Sequence, residues 1–382
     1  MEQMSEEPIR SRFVPMAIGI GQGGTSAAST FLQVVGGDTK YLTSINLSDA
    51  DLRGASLVPE ANRILLDKNR FGAGKNRDVS KSYATEKKDF IIKKVSEIMG
   101  TEVNTILVFY SLDGGTGSGL GPYLTALFES NALPKAPGKP CLVFGVPLLP
   151  DANAGKLGLS NTIEALKEIS NLSAAKVARF ILVDNNSEAS IKEDSARWAA
   201  VNQDIAKYLK RYMFTTYVSS CANLDFEDRY TALRVPGCHA FCTYNPSEKV
   251  CVPVGPFVLP EGARVDRMAS EIPQGSAESR INLCSTIGCT VDEPNMVGYY
   301  PEDTQGAIPI VHFAGFSNLL KITERYQQWF SQIQQKALAA EKVDATKGVG
   351  FSRIEENKDW IESQSETKTN SSAEDLFNLL GN

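Results

Sequence analysis

A glycine-rich run directly after an apolar segment is the feature that most constrains how this chain can fold. Residues 105–110 read TILVFY, which is typical of a buried strand, and residues 111–121 read SLDGGTGSGLG, with five glycines. Glycine is unfavourable inside regular structure, so such a cluster indicates a sharp bend or a close approach of another group to the backbone. The run predicts a strand–loop–helix turn whose main chain is contacted directly by a ligand or by another segment.

Length and composition place the chain among water-soluble globular proteins. With 382 residues it is long enough for two domains, or for one large α/β domain with an addition, and its 42% hydrophobic and 22% charged content is ordinary. It contains no apolar run of transmembrane length, and MEQMSEEPIRSR at the start is unlike a signal peptide. The seven cysteines are scattered without a C-x-x-C pair. We therefore expect reduced thiols, a cytoplasmic location and no membrane partner.

Histidine is too scarce for several common kinds of active site. Only His239 and His312 are present, which disfavours Ser-His-Asp and Cys-His enzymes and His-rich metal sites. The segment CHAFC, residues 238–242, could suggest zinc, but it lacks a second ligand cluster and its apolar setting predicts a buried strand. Any catalysis must therefore rest on carboxylates, backbone amides and a bound cation.

The net charge of −6 is concentrated at the ends of the chain. From residue 354 onward seven acids face two lysines, a net charge of −5, and the first twelve residues contribute −1. The body is close to neutral and shows no basic stripe, so we expect no direct nucleic-acid binding. A neutral body can also stack on copies of itself without strong repulsion.

Apolar strands alternate with helical segments through the first half of the chain. The runs FVPMAIGI, KYLTSINL, RILL, TILVFYS, CLVFGVPLL and RFILVDN read as strands, and stretches such as 80–98 and TIEALKEIS read as helices. This alternation predicts an α/β fold with a parallel sheet covered on both faces. Short strands follow residue 236, and two further helices show apolar side chains at helical spacing, one of them beginning near Trp198.

These patterns predict a Rossmann-like nucleotide domain joined by a central helix to a smaller α+β domain, with a long C-terminal helix and an acidic tail. The expected segments are an N-terminal extension (1–12), the nucleotide-binding domain (13–194), the central helix (195–216), the α+β activation domain (217–316), the long helix (317–345) and a flexible acidic tail (346–382).

Five loops follow predicted strands, and in a doubly wound sheet such loops share the ligand-binding edge. They read GIGQGGTS (19–26), INLSDADL (45–52), RFGAGKNRDV (70–79), SLDGGTGSGLG (111–121) and VDNNS (183–187). Amides at the helix start that follows the first loop could hold a phosphate, and Asn185 is suited to reading the edge of a base. Taken alone, the first loop could equally be a structural tight turn.

The glycine run is the specific signal, because residues 114–119 resemble the tubulin/FtsZ signature G-G-G-T-G-[ST]-G at six of its seven places. GQGGTS, GAGKN and VDNNS also resemble loops of that family, in the family's order. The resemblance implies GTP or GDP bound with Mg²⁺. The residues that it assigns to nucleotide binding are Gly21, Gln22, Gly23, Gly24, Asn46, Ala73, Gly74, Lys75, Asn76, Gly114, Gly115, Thr116, Gly117, Ser118, Asp151, Lys156, Asn185, Asn202 and Asp204.

Two points in this assignment stay open. Asp113 replaces the first glycine of the signature, and it could coordinate Mg²⁺, point away from the phosphates, or pair with Lys75. Asn202 and Asp204 both lie near the place where the family's central helix contacts guanine, and a one-residue offset leaves the choice between them undecided.

The segment CANLDFEDRYTAL, residues 221–233, resembles the FtsZ segment N-x-D-F-A-D. In that family this segment enters the nucleotide site of the next subunit, so the resemblance implies that Asn223, Asp225 and Asp228 complete GTP hydrolysis across a subunit contact. A carboxylate can orient a water molecule for attack on a phosphate. The alternative reading is a simple helix cap, because Asn and Asp often cap helices.

Within the family, the long helix, the charged tail and residues 147–169 resemble the TubZ and phage-tubulin branch. The resemblance implies head-to-tail protofilaments bundled into multi-stranded filaments that position plasmid or phage DNA in a bacterial host, with a DNA-bound adaptor or a phage cargo as partner. The tail could be a solvated extension, or AEDLFNLL could dock on a neighbouring subunit. An FtsZ-like division filament and a non-hydrolysing structural polymer are alternatives, whereas a Rossmann oxidoreductase would leave the later loops unexplained.

Overall fold

Two strands at the centre of the sheet show why this sequence folds as an α/β layer structure. In β1 (Pro15–Ile20) and β4 (Thr105–Ser111), which pair in parallel, apolar side chains are buried on both faces. Met16 and Ile18 belong to one hydrophobic core and Ala17 to the other. A strand buried on both sides requires helices above and below it. The computed structural model describes residues 13–133, 141–214, 226–245, 247–248, 250–260, 265–273, 296–300 and 310–346.

The described strands form one twelve-stranded sheet. Its order is β11-β10-β12-β8-β6-β5-β4-β1-β2-β3, with β7 paired to β5 and β9 paired to β8. Pairing is parallel from β3 through β8 and mixed beyond it, where β12 runs antiparallel to both of its neighbours. The other strands are β2 (Leu42–Asn46), β3 (Arg63–Leu65), β5 (Leu142–Leu149), β6 (Arg179–Ile181), β7 (Val183–Asp184), β8 (Gly237–Asn245), β9 (Val250–Pro253), β10 (Arg267–Pro273), β11 (Met296–Tyr300) and β12 (Val311–Phe316).

Helices cover both faces of the sheet. The helices α1 and α7 contribute to one core, and α4, α5, α6 and α9 contribute to the other. None of the helices in the described part of the chain is long and apolar enough to cross a membrane. The helices are α1 (Gly21–Val35), α2 (Asp49–Gly54), α3 (Arg77–Glu86), α4 (Lys88–Met99), α5 (Gly115–Leu127), α6 (Gly155–Ala174), α7 (Asp194–Leu209), α8 (Phe226–Leu233) and α9 (Leu320–Thr346).

The predicted α/β fold with a mostly parallel sheet is confirmed, and CHAFC lies in the buried strand β8 as expected. The helical stretch predicted at 80–98 is two helices, because Lys87 leaves the helical backbone conformation between α3 and α4. The central helix α7 ends at Leu209 and continues as a π-helical turn, Lys210–Phe214. The division into domains stays a prediction, and the N-terminal extension and the acidic tail from residue 347 lie outside the described residues.

Candidate functional site

A cleft of about 800 Å³ lies at the edge of the sheet where the parallel strands end. The strand β1 passes directly into α1, and β4 reaches α5 after three residues, so two helices begin at the cleft. Its volume is in the range of small-molecule and cofactor pockets. The residues assigned to nucleotide binding from sequence that line this cleft are Gly21, Gln22, Gly23, Asn46, Lys75, Gly114, Gly115, Thr116, Gly117, Asp151, Asn185 and Asn202.

The first helix start is built from glycines because side chains would block it. Gly21 has φ = 71°, the left-handed region that only glycine adopts freely. A Cβ atom on Gly24 would overlap the carbonyl oxygen of Phe109, so this glycine allows α1 to pack closely on β4. Gly24 therefore shapes the site and does not line it. No side chain caps the N-terminus of α1, which leaves its first amides available to an anion.

The glycine run at 111–121 packs against β4 and against the loop at 70–76. A Cβ atom on Gly117 would lie 2.6 Å from the Ser111 carbonyl oxygen, and one on Gly115 would lie 2.8 Å from the Ala73 side chain. Gly114 is the N-cap residue of α5, and no side chain caps this helix. Ser118, also assigned to binding from sequence, donates its hydroxyl to the Gly114 carbonyl. A second uncapped helix N-terminus therefore faces the cleft.

Asp113 lines the cleft beside these amides. The Ser111 hydroxyl donates a hydrogen bond to its carboxylate. Among the described side chains, no ion pair joins Asp113 to Lys75, so the suggested pairing is not part of this arrangement. The Ser111 hydroxyl thus holds the Asp113 carboxylate next to Gly114 and the N-terminus of α5.

The loop at 70–76 presents Lys75 to the cleft through an unusual backbone. Gly74 and Lys75 both have φ = 59°, a left-handed conformation that is costly for a lysine. Asn76 caps α3 by accepting hydrogen bonds from the Asp78 and Val79 amides. Ala73, Gly74 and Asn76 therefore shape this loop, whereas Lys75 is the residue of the four that lines the cleft.

Amide side chains and one aromatic ring also line the cleft. Asn185 follows β7, and Asn202 on α7 donates to the Ser26 hydroxyl at 3.3 Å. Asp204 is not among the lining residues, so Asn202 is the one of the two candidates that reaches the cleft. Trp198 also lines it, with 49% of its surface exposed. Sequence analysis placed Trp198 among the packed residues of the central helix, because helical spacing does not separate a core ring from a ring that faces a cleft.

Two carboxylates near the cleft are tied to other groups. Asp151 pairs with Arg197 at 2.8 Å, and Arg197 also pairs with Asp194. Asp51, which sequence analysis passed over, lines the cleft and accepts a hydrogen bond from Asn46 at 3.2 Å. Asp51 follows soon after the end of β2, and this position is the sequence feature that could have identified it.

Some residues assigned from sequence lie away from the cleft. Lys156 sits over the ring of Phe330 on α9, 6.0 Å from its centroid, and does not line the cleft. Asp228 is on α8, which packs against β10 and β12, and it is also not a lining residue. Asn223 and Asp225 lie outside the described residues. Within the described part of the chain, no group of three or more His, Cys, Asp or Glu residues is arranged to hold a metal ion.

Residues 16–191 match the Tubulin/FtsZ family, GTPase domain. The tubulin-like protein CetZ5 of Haloferax volcanii is 28% identical over 189 residues, which is 48% of this chain and 45% of CetZ5. CetZ2 of the same organism is 30% identical over 196 residues, 50% of this chain and 51% of CetZ2. The chain thus spans about half the length of the curated relatives that it matches.

Solved structures extend the likeness of fold beyond the matched half. TubZ of Clostridium botulinum phage c-st, truncated at its C-terminal tail, superposes with a TM-score of 0.63 at 20% identity, covering 85% of this chain and 98% of that one. TubZ of Bacillus thuringiensis serovar israelensis, in GDP-form protofilaments, gives 0.69 at 16% identity, covering 89% and 95%. A GTPγS-bound protofilament of Haloferax volcanii CetZ2 gives 0.59 at 18% identity, covering 86% and 99%.

Proposed function

From the match of residues 16–191 to the Tubulin/FtsZ family, GTPase domain, we propose that the chain is a member of this family that binds GTP, hydrolyses it and assembles head to tail into filaments. One observation carries the proposal. Two uncapped helix N-termini, at Gly21 and Gly115, line a single cleft that Asn185 and Asn202 also line. Helix N-termini favour phosphate, and side-chain amides can both donate to and accept from a base.

The phosphates of GTP would lie against the amides of α1 and α5, with Lys75 adding a positive charge. The base would lie at Asn185 and Asn202, with the exposed ring of Trp198 beside it. Phosphoryl transfer depends on positioning and charge stabilisation more than on covalent chemistry, so a cleft built from amides and one cation is suited to it.

Mg²⁺ commonly binds one or two protein carboxylates together with substrate phosphates. Asp113 and Asp51 line the cleft and fit that requirement. We propose Asp113, which Ser111 holds beside the phosphate-binding amides, as the main candidate ligand. A bound magnesium ion would neutralise phosphate charge at this place.

The groups that orient the attacking water are proposed to come from a second copy of the chain. The cleft residues of one chain include no part of α8, and the resemblance assigns Asn223, Asp225 and Asp228 to the neighbouring subunit's site. A head-to-tail contact of this kind generates open filaments.

The test is phosphate release from GTP measured over a range of protein concentrations, with sedimentation of polymer in parallel. If the site is completed by a neighbour, release per molecule rises steeply once polymer forms, and GDP supports less polymer than GTP. Turnover per molecule that is independent of concentration would contradict the shared site. Polymer without phosphate release would instead indicate a non-hydrolysing structural filament.

We further propose that the filament positions plasmid or phage DNA in the cytoplasm of a bacterial host, through an adaptor protein. This rests on the resemblance of residues 147–169 to the TubZ and phage-tubulin branch and on the near-neutral body, which offers no basic stripe for direct DNA contact. Filaments should therefore fail to sediment with bare DNA at physiological salt. Strong binding to bare DNA would contradict the adaptor, and localisation to the division site would favour an FtsZ-like role.

A further inference from the structure

One face of α6 meets both loops that shape the phosphate end of the cleft. Asn161 lies on this face and is 4% exposed, and Gly158 lies one turn before it. A Cβ atom on Gly158 would lie 3.1 Å from the Asp113 side chain, so the helix approaches the loop closely here. Glu168, two turns after Asn161, accepts hydrogen bonds from Arg77 at the start of α3. The helix α6 therefore contacts both the loop that contains Asp113 and the start of α3.

Asn161 bridges the two loops directly. Its amide nitrogen donates to the Lys75 carbonyl oxygen at 2.8 Å and to the Asp113 carbonyl oxygen at 3.2 Å. Both partners are carbonyl oxygens and can only accept, so the amide orientation is fixed and both of its hydrogens are used. The bridge ends on Lys75, the residue with the left-handed backbone. The hydrogen bond helps to hold that unfavourable conformation in place.

Two further contacts join the same segments. A Cβ atom on Gly115 would lie 2.8 Å from the Lys75 carbonyl carbon and from the Asn76 amide nitrogen, so the loops are in direct contact. Arg77 also donates to the Ser118 carbonyl oxygen at 3.1 Å. Asn161 is thus placed where it sets the position of Lys75 relative to the amides of α5.

Lys75 is the one positively charged residue among those that line the cleft in the described part of the chain. A triphosphate carries more negative charge than a diphosphate, so its additional affinity falls mainly on this cation. We propose that Asn161 is a positioning residue that fixes Lys75 against the phosphate-binding loop at 111–115 and thereby makes the cleft prefer GTP to GDP. This inference rests on the proposed function.

The experiment compares the affinities of GTPγS and GDP by titration calorimetry, at protein concentrations below the onset of assembly. Asn161→Ala removes the donor to the Lys75 and Asp113 carbonyl oxygens and releases Lys75. We expect GTPγS affinity to fall about tenfold and GDP affinity to change by less than about threefold. Asn171→Ala, on an exposed position of the same helix, is the matched control and should leave the affinity ratio unchanged.

A second variant separates donation from packing. Asn161→Asp keeps the shape of the side chain, but an ionised carboxylate cannot donate to either carbonyl, whereas a protonated one can donate to one of them. The GTPγS preference should be lost at pH 8 and partly regained near pH 5.5, relative to the unmodified chain at each pH. The unmodified chain and the Asn161→Asp variant share the charged residues around position 161, so these do not account for a difference between the two. They are Lys75, Asp113, Arg77 and Glu168.

The outcomes separate this inference from the proposed function. An unmodified chain that binds neither nucleotide would overturn both. A chain that binds both nucleotides, but keeps its affinity ratio in Asn161→Ala and in Asn161→Asp at pH 8, would overturn the role of Asn161 alone.

Discussion

Trp198 and Asn202 lie four residues apart on α7 and both line the cleft. Residues at this spacing share one face of a helix, so a ligand that contacts this face of α7 meets an aromatic ring and an amide side chain together. The half-exposed ring is an unfavourable arrangement for the free protein, and covering it with a planar base would remove apolar surface from water.

We expect Trp198→Ala to lower the affinity for GDP by about tenfold, because stacking of a base on an aromatic ring contributes about 1–3 kcal/mol. Trp198→Phe should retain most of the affinity. Titration calorimetry with GDP checks both affinities, and quenching of the intrinsic fluorescence by GDP should disappear in both variants. An unchanged affinity in Trp198→Ala would show that the base lies elsewhere.

At the scale of secondary-structure elements, a buried chain of hydrogen bonds joins the end of the central helix to the sheet. Tyr212 bonds to His312 on β12 at 2.9 Å, His312 bonds to His239 on β8 at 2.8 Å, and His239 bonds to the Val235 carbonyl at 2.8 Å. The carbonyl can only accept, which fixes His239 Nε2 as a donor. In a neutral His239, Nδ1 then accepts from His312 Nε2. His312 Nδ1 is left as an acceptor, so the Tyr212 hydroxyl donates to it.

This chain predicts acid sensitivity. Burial lowers the pKa of His239 to about 3, and burial also lowers the pKa of His312. Below about pH 6.5 the unfolded chain therefore binds protons that the folded chain does not. As the pH is lowered further, the free energy of unfolding decreases by up to about 1.4 kcal/mol per pH unit for each histidine. The nearby charges are Arg179, which also lowers the pKa of His239, and Arg229, which donates to the Tyr212 carbonyl.

His239→Gln is the informative variant, because a glutamine amide can donate to Val235 and accept from His312 without taking up a proton. Urea midpoints measured at pH 7, 6 and 5 should decline less steeply in this variant than in the unmodified chain. Equal slopes would mean that His239 is not held neutral in the folded protein.

Patterns local in sequence predicted the elements well. TILVFY and CHAFC are strands because their runs of apolar side chains are buried. The glycine run leads from β4 into α5, where neighbouring backbone leaves no room for a Cβ atom on Gly115, Gly117 or Gly119. Asn161 and the partners of the two histidines were not predictable in this way. Their hydrogen bonds join segments 48 to 100 residues apart, and a single polar residue on a helix carries no signal for such a contact.

At the scale of the whole molecule, the cleft lies at one edge of the sheet, whereas α8 packs against β10 and β12 in the second half of the chain. In the proposed function, the lining residues contact the phosphates and the base, and the water-orienting acids come from another copy of the chain. Lys156 was assigned by counting along a loop, and the structure places it over the Phe330 ring and not among the lining residues.

The shared site is tested most directly by mixing two variants, each inactive alone. Asp225→Ala/Asp228→Ala keeps the cleft and removes the acids. Gly114→Asp keeps the acids and adds a carboxylate beside the phosphates, at a position with open space around a new Cβ atom. Gly54→Asp, also at an open position, is the control and should stay active. In an equal mixture, about a quarter of random head-to-tail contacts join an intact cleft to intact acids.

The account predicts that phosphate release from GTP reappears in the mixture, at about a quarter of the unmodified rate if pairing is random. A mixture as inactive as its components, under conditions in which both variants enter the same polymer, would contradict the shared site. Full activity of the Asp225→Ala/Asp228→Ala chain on its own would contradict it as well.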